Sequence, residues 1–270
     1  MNKQTEDAGG FLQDKPSAAR MYDHFLGGSH NFEIDRVAAE RILEIYPDSA
    51  RVLRANRAFL RRAVVYLVTQ GVAQFLDIGS GIPTAGNVHE IAQRLNPAAR
   101  VVYVDIDPVA VAHSQAILRD NPNAAVIQAD ACESERLLTH PDVQKLLDFR
   151  TPIAVLLVAL LHFVTDDADA YKLVQTLRDA LLPGSYIVIT HSMNENVPRD
   201  VIRQSERVYE GSMNPAKFRS HAQIERFFNG FELIDPGLVY VPLWHPENSD
   251  DIFLDQPERS VIVAGVGRKP

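Results

Sequence analysis

The stretch QFLDIGSGIPT, residues 74–84, decides the fold, because an apolar run ends there in an aspartate that is followed by a Gly-x-Gly turn. Turns of this kind between a strand and a helix usually bind phosphate through backbone N–H groups and the positive end of the helix. Asp77 places a negative charge two positions before Gly79, and this charge would repel a phosphate. The turn therefore predicts a ligand that favours a neighbouring carboxylate.

On the C-terminal side of this stretch, strand-like and helix-like segments alternate. Apolar runs typical of strands are AQFLDIG, RVVYVDID, AAVIQAD, PIAVLLVALL and SYIVITHS, and segments with helical spacing separate them. This alternation predicts a parallel sheet with right-handed crossovers. Two further runs, LVYVPLW and RSVIVAGV, have no helix between them, which predicts an antiparallel hairpin at the sheet edge.

Three helices are predicted before the first strand, in PSAARMYDHFLGG, EIDRVAAERILEIYP and DSARVLRANRAFLRRAVVYLVTQG. Residues 1–15 are polar and contain glycine, so we expect a disordered arm. We expect one domain over residues 16–270, with an N-terminal helical lid or extension at 16–71 and a core at 72–270. The arginines of the third helix are interpreted as a solvated face.

Composition favours a small-molecule substrate. The 270 residues are 46% hydrophobic and carry a net charge of −8, which gives no attraction to nucleic acid or to anionic membranes. Cys132 is the single cysteine, so the chain fits a reducing compartment, and no apolar run approaches the ~20 residues of a membrane span. We therefore predict a cytoplasmic protein without nucleic-acid or membrane partners.

Three acidic residues end the first three predicted strands: Asp77, Asp105 and Asp130. In doubly wound sheets the ligand binds at the carboxyl ends of the strands. An acid at the end of the second strand suits the ribose hydroxyls of a nicotinamide cofactor and of S-adenosylmethionine equally well.

The glycine turn favours S-adenosylmethionine. The dinucleotide fingerprint needs a small third residue, whereas here Thr84 follows Pro83 at that place. S-adenosylmethionine has no phosphate and offers an ammonium and a sulfonium to Asp77. Three alternatives stay open: an acidic cap beside an ordinary turn, a nicotinamide-dependent oxidoreductase, and a non-catalytic S-adenosylmethionine-binding protein.

Several segments resemble the class I S-adenosylmethionine-dependent methyltransferases, and more narrowly the bacterial S-adenosyl methyltransferase family formerly catalogued as a domain of unknown function. They run from Pro16 onward: PSAARMYDHFLGGSHNFEIDR, FLDIGSGIPT, VVYVDIDPVAVAHSQAIL, ADACE, LLPGSYIVITH and IERFFNGFELIDPGLVYVPLWHP. The resemblance implies an α/β fold with a Rossmann-like, doubly wound, seven-stranded and mostly parallel sheet whose last strand is antiparallel. It also implies S-adenosyl-L-methionine as the cofactor.

The resemblance assigns the cofactor to residues at the three strand ends. It implies a methionine portion lined by Asp77, Gly79 and Gly81, a ribose held by Asp105 and flanked by Ile106 and Asp107, and an adenine edge at Asp130 and Ala131.

The segment ARMYDHFLGGSHNF, residues 19–32, is interpreted as a lid over the cofactor. Arg20 is the candidate for the methionine carboxylate, and Tyr22 and Asn31 are candidates for the pocket wall. The alternative is that this segment only packs on the sheet edge.

His162 and His191 follow the fourth and fifth strands and are the candidates for a catalytic base. For each, the alternative is a histidine satisfied by backbone hydrogen bonds. No metal is expected, because capping of a helix explains the acidic cluster at residues 166–169. The methyl acceptor, the choice of O-, N- or C-methylation and the oligomeric state stay open.

Overall fold

The computed structural model describes residues 14–83, 86–249 and 251–270. Most of the expected arm at 1–15, and Thr84 of the glycine turn, therefore lie outside the described residues.

A twisted sheet forms the centre of the molecule. Its strands are β1 (Gln74–Ile78), β2 (Arg100–Asp105), β3 (Ala124–Gln128), β4 (Ala154–Val158), β5 (Tyr186–Ser192), β6 (Glu232–Leu233), β7 (Val239–Tyr240) and β8 (Ile262–Arg268). The strand order is β3-β2-β1-β4-β5-β8-β6, and β7 also pairs with β8. The pairs among β1 to β5 are parallel and β8 is antiparallel to β5, which confirms the predicted Rossmann-like sheet.

The described sheet has eight strands rather than the predicted seven. β6 and β7 each contain two residues and both pair with β8, at Leu233↔Gly267 and Val239↔Ala264. They are successive pieces of one interrupted edge, because Pro236 between them has no N–H to donate to a ladder. The predicted strand LVYVPLW is short for the same reason, since Pro242 lies in a 3₁₀ turn, Val241–Leu243.

Helices cover both faces of the sheet. They are α1 (Ala18–Phe25), α2 (Glu33–Ile45), α3 (Ser49–Thr69), α4 (Val88–Leu95), α5 (Pro108–Leu118), α6 (Ser134–Leu138), α7 (Pro141–Leu146), α8 (Asp167–Ala180), α9 (Arg199–Glu210) and α10 (His221–Glu225). Along β1, Phe75 belongs to one apolar core, and Leu76 and Ile78 to the other. No helix in the described ranges has both the length and the apolar character needed to cross a membrane.

The prediction that the arginines of α3 form a solvated face is wrong for Arg62 and holds only in part for Arg57. Arg62 is buried and donates hydrogen bonds to the carbonyls of Trp244 and Val241. Arg57 is partly buried and faces the strand ends. Phe59 of α3 packs in the core beside the sheet, whereas α1 and α2 share a separate small cluster with α9. The division of the domain at residue 71 stays a prediction.

Candidate active site

A cavity of about 290 Å³, here called the first cavity, opens at the carboxyl ends of β1, β2 and β3. The structure brings together nine of the predicted residues in its lining: Tyr22, Asp77, Gly79, Gly81, Asp105, Ile106, Asp107, Asp130 and Ala131. The start of α1 closes one side, and the loop after α9, residues 213–215, contributes to the same wall. The N-terminal segment therefore contacts the cavity itself and not only the sheet edge.

The glycine turn after β1 lies against the neighbouring strands. Gly79 and Gly81 have φ values of +74° and +67°, a backbone region that glycine adopts without strain. The N–H groups of Gly79 and Ser80 donate to the Val104 carbonyl. A Cβ atom on Gly79 would lie 2.6 Å from Cδ1 of Leu160, so both the conformation and the close approach require glycine.

Asp77 is a buried carboxylate that receives no hydrogen bond from the described residues. Burial raises its pKa to about 7, the positive charge of Arg57 lowers it, and the negative charge of Asp105 raises it. A carboxylate in this state gains strongly from a cation placed beside it.

Asp105 joins the end of β2 to the glycine turn. Its Oδ2 accepts a hydrogen bond of 2.6 Å from the Gly81 N–H, and its Oδ1 accepts one of 2.9 Å from the Asp107 N–H. Burial raises its pKa to about 6, although these backbone hydrogen bonds lower it. Each oxygen has a further lone pair with which to accept a bond from a ligand hydroxyl.

Two residues of α3 that the sequence analysis missed also line the first cavity, Asn56 and Arg57. Asn56 is fully buried, and its Oδ1 has no hydrogen-bond partner in the described residues. The same is true of Oγ of Ser80, which also lines the first cavity. A sequence signal for Asn56 exists, because it shares the apolar face of Val52 and Phe59 at helical spacing. Arg57 had no comparable signal among the five arginines of the segment.

The structure places Arg20 and Asn31 outside the lining of the first cavity. Arg20 is fully buried and donates to Asp35, to Asp107 and to the Lys15 carbonyl. Asn31 donates to Asp23 and to the Gly28 carbonyl. Since all three guanidinium nitrogens of Arg20 have protein partners, this geometry argues against a direct contact with a methionine carboxylate.

His191 has both ring nitrogens engaged, Nδ1 with the Ser192 carbonyl and Nε2 with Arg219, at 2.8 and 2.9 Å. It does not line the first cavity, and burial holds its pKa well below the ordinary range. This geometry gives no support to a catalytic base at His191.

His162 lines a second, smaller cavity that adjoins the first. Its Nδ1 is buried without a hydrogen-bond partner in the described residues. Burial, and then the charge of Arg219, lower its pKa to about 3, so the ring is neutral at physiological pH.

The acidic cluster after β4 is structural. Asp166 Oδ1 accepts from the Asp169 N–H and caps α8, while Asp167 pairs with Lys217 and Arg219. In the described part of the chain, no group of three or more His, Cys, Asp or Glu side chains is arranged to hold a metal ion.

The sheet order, the glycine turn with its preceding acid, and the acid at the end of β2 together define an S-adenosylmethionine-dependent methyltransferase of the Rossmann-like class. The chain belongs to the S-adenosyl methyltransferase family, whose family model matches residues 5–270. A search of curated proteins found no match.

Two solved structures resemble the chain over nearly its whole length. A protein of Thermobifida fusca YX, described as a candidate methyltransferase, is 40% identical with a TM-score of 0.90, covering 98% of this chain and 99% of that one. A DUF574 family protein of Streptomyces avermitilis MA-4680 is 37% identical with a TM-score of 0.90, covering 95% and 98%.

A distant structure supports the fold alone. The N-methyltransferase NodS of Bradyrhizobium japonicum WM9, in complex with S-adenosyl-L-homocysteine, is 13% identical with a TM-score of 0.51, covering 93% of this chain and 99% of that one. The family match makes the chain a methyltransferase that uses S-adenosyl-L-methionine, and the oxidoreductase and non-catalytic alternatives give way to it.

Proposed function

We propose that this enzyme methylates a small-molecule acceptor and binds the amino-acid tail of S-adenosylmethionine between Arg57 and Asp77. The observation that carries the proposal is the buried Asp77 carboxylate, which accepts no hydrogen bond from the described residues although its charge is desolvated. The ammonium group of the tail would neutralise this carboxylate. Arg57, which lines the same cavity, would face the tail's own carboxylate.

The unpaired atoms of the first cavity fit the same ligand. Asn56 Oδ1 and Ser80 Oγ are buried without partners in the described residues, and a buried polar atom without a partner costs about 1–3 kcal/mol. An ammonium donates three hydrogen bonds and a carboxylate accepts several, so the tail offers partners of both kinds.

The nucleoside would lie along the ends of β2 and β3. Asp105 would accept bonds from the ribose hydroxyls, and Ile106, a residue that is 49% exposed, would cover an aromatic base. Asp130 and Ala131 line the far end, where Asp130 already accepts from the Cys132 N–H through one oxygen. Its other oxygen would be available to the adenine amino group.

When bound, S-adenosylmethionine supplies a methyl group on a sulfonium sulfur, which keeps the bonding electron pair as the methyl leaves. Methyl transfer depends chiefly on holding the acceptor in line and excluding water. Tyr22 serves this purpose, because it lines both cavities and its hydroxyl is fixed by the Leu53 carbonyl and the Asn56 amide.

The acidity of the chain, at net charge −8, supports a small-molecule acceptor over nucleic acid. The single cysteine, which is exposed, supports a reducing compartment, and we propose the cytoplasm of a bacterium.

Calorimetry tests the proposal with S-adenosylmethionine and NAD as titrants. The wild-type chain and the control variant Asp120→Asn, on the exposed surface, should bind S-adenosylmethionine equally. Asp77→Asn should weaken that binding by about tenfold or more, the loss expected for a charge-assisted hydrogen bond. Binding of NAD without binding of S-adenosylmethionine would overturn the proposal.

A further inference from the structure

A second cavity of about 100 Å³ adjoins the first. The two cavities share four lining residues, Ala18, Tyr22, Ala159 and Phe163, which form the wall between them. Ala159, directly after β4, has a φ of +57°, a conformation rare for a residue with a Cβ, and its N–H donates to Thr190 Oγ1. A small residue is thus held at the boundary of the two spaces.

The lining of the second cavity is uncharged. Among the described residues that form it, no Asp, Glu, Lys or Arg occurs. Six lining residues carry benzene or phenol rings: Tyr22, Phe25, Tyr46, Phe163, Tyr209 and Phe218. A ligand with a formal charge would lose its hydration there without gaining a counter-ion, whereas an aromatic ring would find ring faces and edges.

His162 lines this apolar space, and its Nδ1 is buried without a hydrogen-bond partner among the described residues. The backbone around it is fixed, because Arg219 donates to the carbonyls of Leu161 and Val164, and the Lys217 N–H donates to the His162 carbonyl. A hydroxyl group suits this nitrogen in either ring tautomer, since a hydroxyl both donates and accepts.

The volume limits the size of the occupant. An apolar cavity of about 150 Å³ is known to bind one benzene molecule. The second cavity, at about 100 Å³, is smaller than this, so its occupant is no larger than a single ring.

We propose that the second cavity holds the methyl acceptor and that the acceptor is an uncharged aromatic compound whose hydroxyl group binds His162. This inference rests on the proposed binding of S-adenosylmethionine in the first cavity. The hydroxyl oxygen forms the new bond to the methyl carbon as the carbon–sulfur bond breaks, and the sulfur keeps its electron pair. The hydroxyl proton passes to Nδ1 of His162, in the tautomer that carries the ring proton on Nε2, and then to water, because a methylated oxonium is a far stronger acid than an imidazolium.

Four probes that share one fluorinated benzene ring test the chemical class: 4-fluorophenol, fluorobenzene, 4-fluorobenzoate and 4-fluorobenzylamine. Their affinities are measured by ¹⁹F NMR with the protein saturated in S-adenosylhomocysteine, so that the first cavity is filled. We expect 4-fluorophenol to bind three- to tenfold more tightly than fluorobenzene, as one hydrogen bond allows, and the two charged probes to bind most weakly. Equal or tighter binding of either charged probe would overturn the proposal.

Variants of His162 test the role of its Nδ1. His162→Phe should remove the preference for 4-fluorophenol over fluorobenzene, whereas His162→Asn, which keeps a polar atom near the Nδ1 position, should retain it. A purely structural role for His162 would leave the preference of both folded variants unchanged, and that result would contradict the proposal.

A charge placed in the wall provides a test that does not depend on His162. Val201 of α9 lines the second cavity. Val201→Asp should therefore lower the affinity for 4-fluorophenol and raise the affinity for 4-fluorobenzylamine above that for 4-fluorobenzoate. Val37→Asp makes the same change at an exposed position of α2 and should leave the order of probes unaltered. An unchanged order in Val201→Asp would contradict the proposal.

Calorimetry with S-adenosylhomocysteine on the same samples separates the two hypotheses. If S-adenosylhomocysteine does not bind, the proposed function fails. If it binds and the neutral probes do not, only the acceptor class assigned here fails.

Discussion

At the scale of single residues, the site is governed by carboxylates held out of water. Asp77 and Asp105 have pKa values raised to about 7 and about 6 by burial, so both change protonation near neutral pH. Their environments differ, because Asp105 accepts backbone hydrogen bonds and Asp77 accepts none from the described residues. Asp77 therefore responds most strongly to a bound cation.

The affinity for S-adenosylmethionine should rise with pH. An ammonium group pairs with ionised Asp77, and a carboxyl with a pKa of about 7 is roughly ten times more ionised at pH 8 than at pH 6. Calorimetry should find a gain of about tenfold between these pH values in wild type, and little of it in Asp77→Asn. 5′-Methylthioadenosine, which lacks the tail, is the matched ligand, and a gain of equal size with it would contradict this role for Asp77.

The same residue should reduce the stability of the ligand-free protein at alkaline pH. Because its pKa is higher in the folded than in the unfolded chain, its contribution to stability is complete below about pH 4 and is lost as pH rises through about 7. The free energy of unfolding of Asp77→Asn, measured with urea, should therefore exceed that of wild type by up to about 4 kcal/mol at pH 8 and by less at pH 5. A variant that is less stable at pH 8 would contradict the raised pKa.

At the scale of elements, buried ion pairs and close backbone contacts fix the cavity walls. Arg20 of α1 contacts Asp35 of α2 and Asp107, which also accepts from Ser17 and caps α5 through Val109. The N-terminal helices are thereby tied to the loop after β2. Arg20, predicted as a ligand contact, is better understood as the residue that positions α1 over the first cavity.

Removal of the Arg20 side chain should lower the stability of the protein more than it lowers the affinity for S-adenosylmethionine. Arg20→Met would leave Asp35 and Asp107 buried without their partner, at a cost of about 3–5 kcal/mol. Urea unfolding measures this loss, and Arg41→Met, at an exposed position of α2, is the control that should change little. If Arg20→Met unfolds like the control while its affinity for S-adenosylmethionine collapses, Arg20 contacts the ligand directly.

Gly79, in the glycine turn after β1, should not tolerate a larger side chain. Gly79→Ala would need a rare backbone conformation and would press its Cβ against Leu160, at 2.6 Å from Cδ1. We expect binding of S-adenosylmethionine to fall by at least tenfold, as judged by calorimetry. Gly71→Ala, at a helix end with φ +86° and no atom near the Cβ position, has the strain without the clash and should keep the affinity.

At the scale of the whole molecule, the sequence predicted the sheet and the residues at its strand ends. Alternating strands and helices fix the strand ends to one edge, so Asp77, Asp105 and Asp130 had to meet there. Side-chain direction was not predictable in this way. Nothing in the sequence distinguishes Arg20, which is held by two carboxylates, from Arg57, which faces the cavity, because the difference arises from packing between distant helices.

The same limit applies to the histidines and to the sheet edge. The sequence places both histidines at the end of an apolar run, yet His162 lies in a 3₁₀ turn after β4, whereas His191 lies within β5. Of the two rings, only that of His191 forms a hydrogen bond with Arg219. The interruption between β6 and β7 depends on Pro236, whose effect on the ladder appears only when β8 is placed beside it.

The central claim is that the first cavity is built for a cationic amino-acid tail, and a crystal structure with S-adenosylhomocysteine tests it most directly. The measured quantity is the distance from the ligand's amino nitrogen to the nearest carboxylate oxygen of Asp77. We predict a hydrogen bond of about 2.7–3.2 Å, with the ligand's carboxylate toward Arg57. A ligand whose tail points away from Asp77, or that lies outside the first cavity, would contradict the claim.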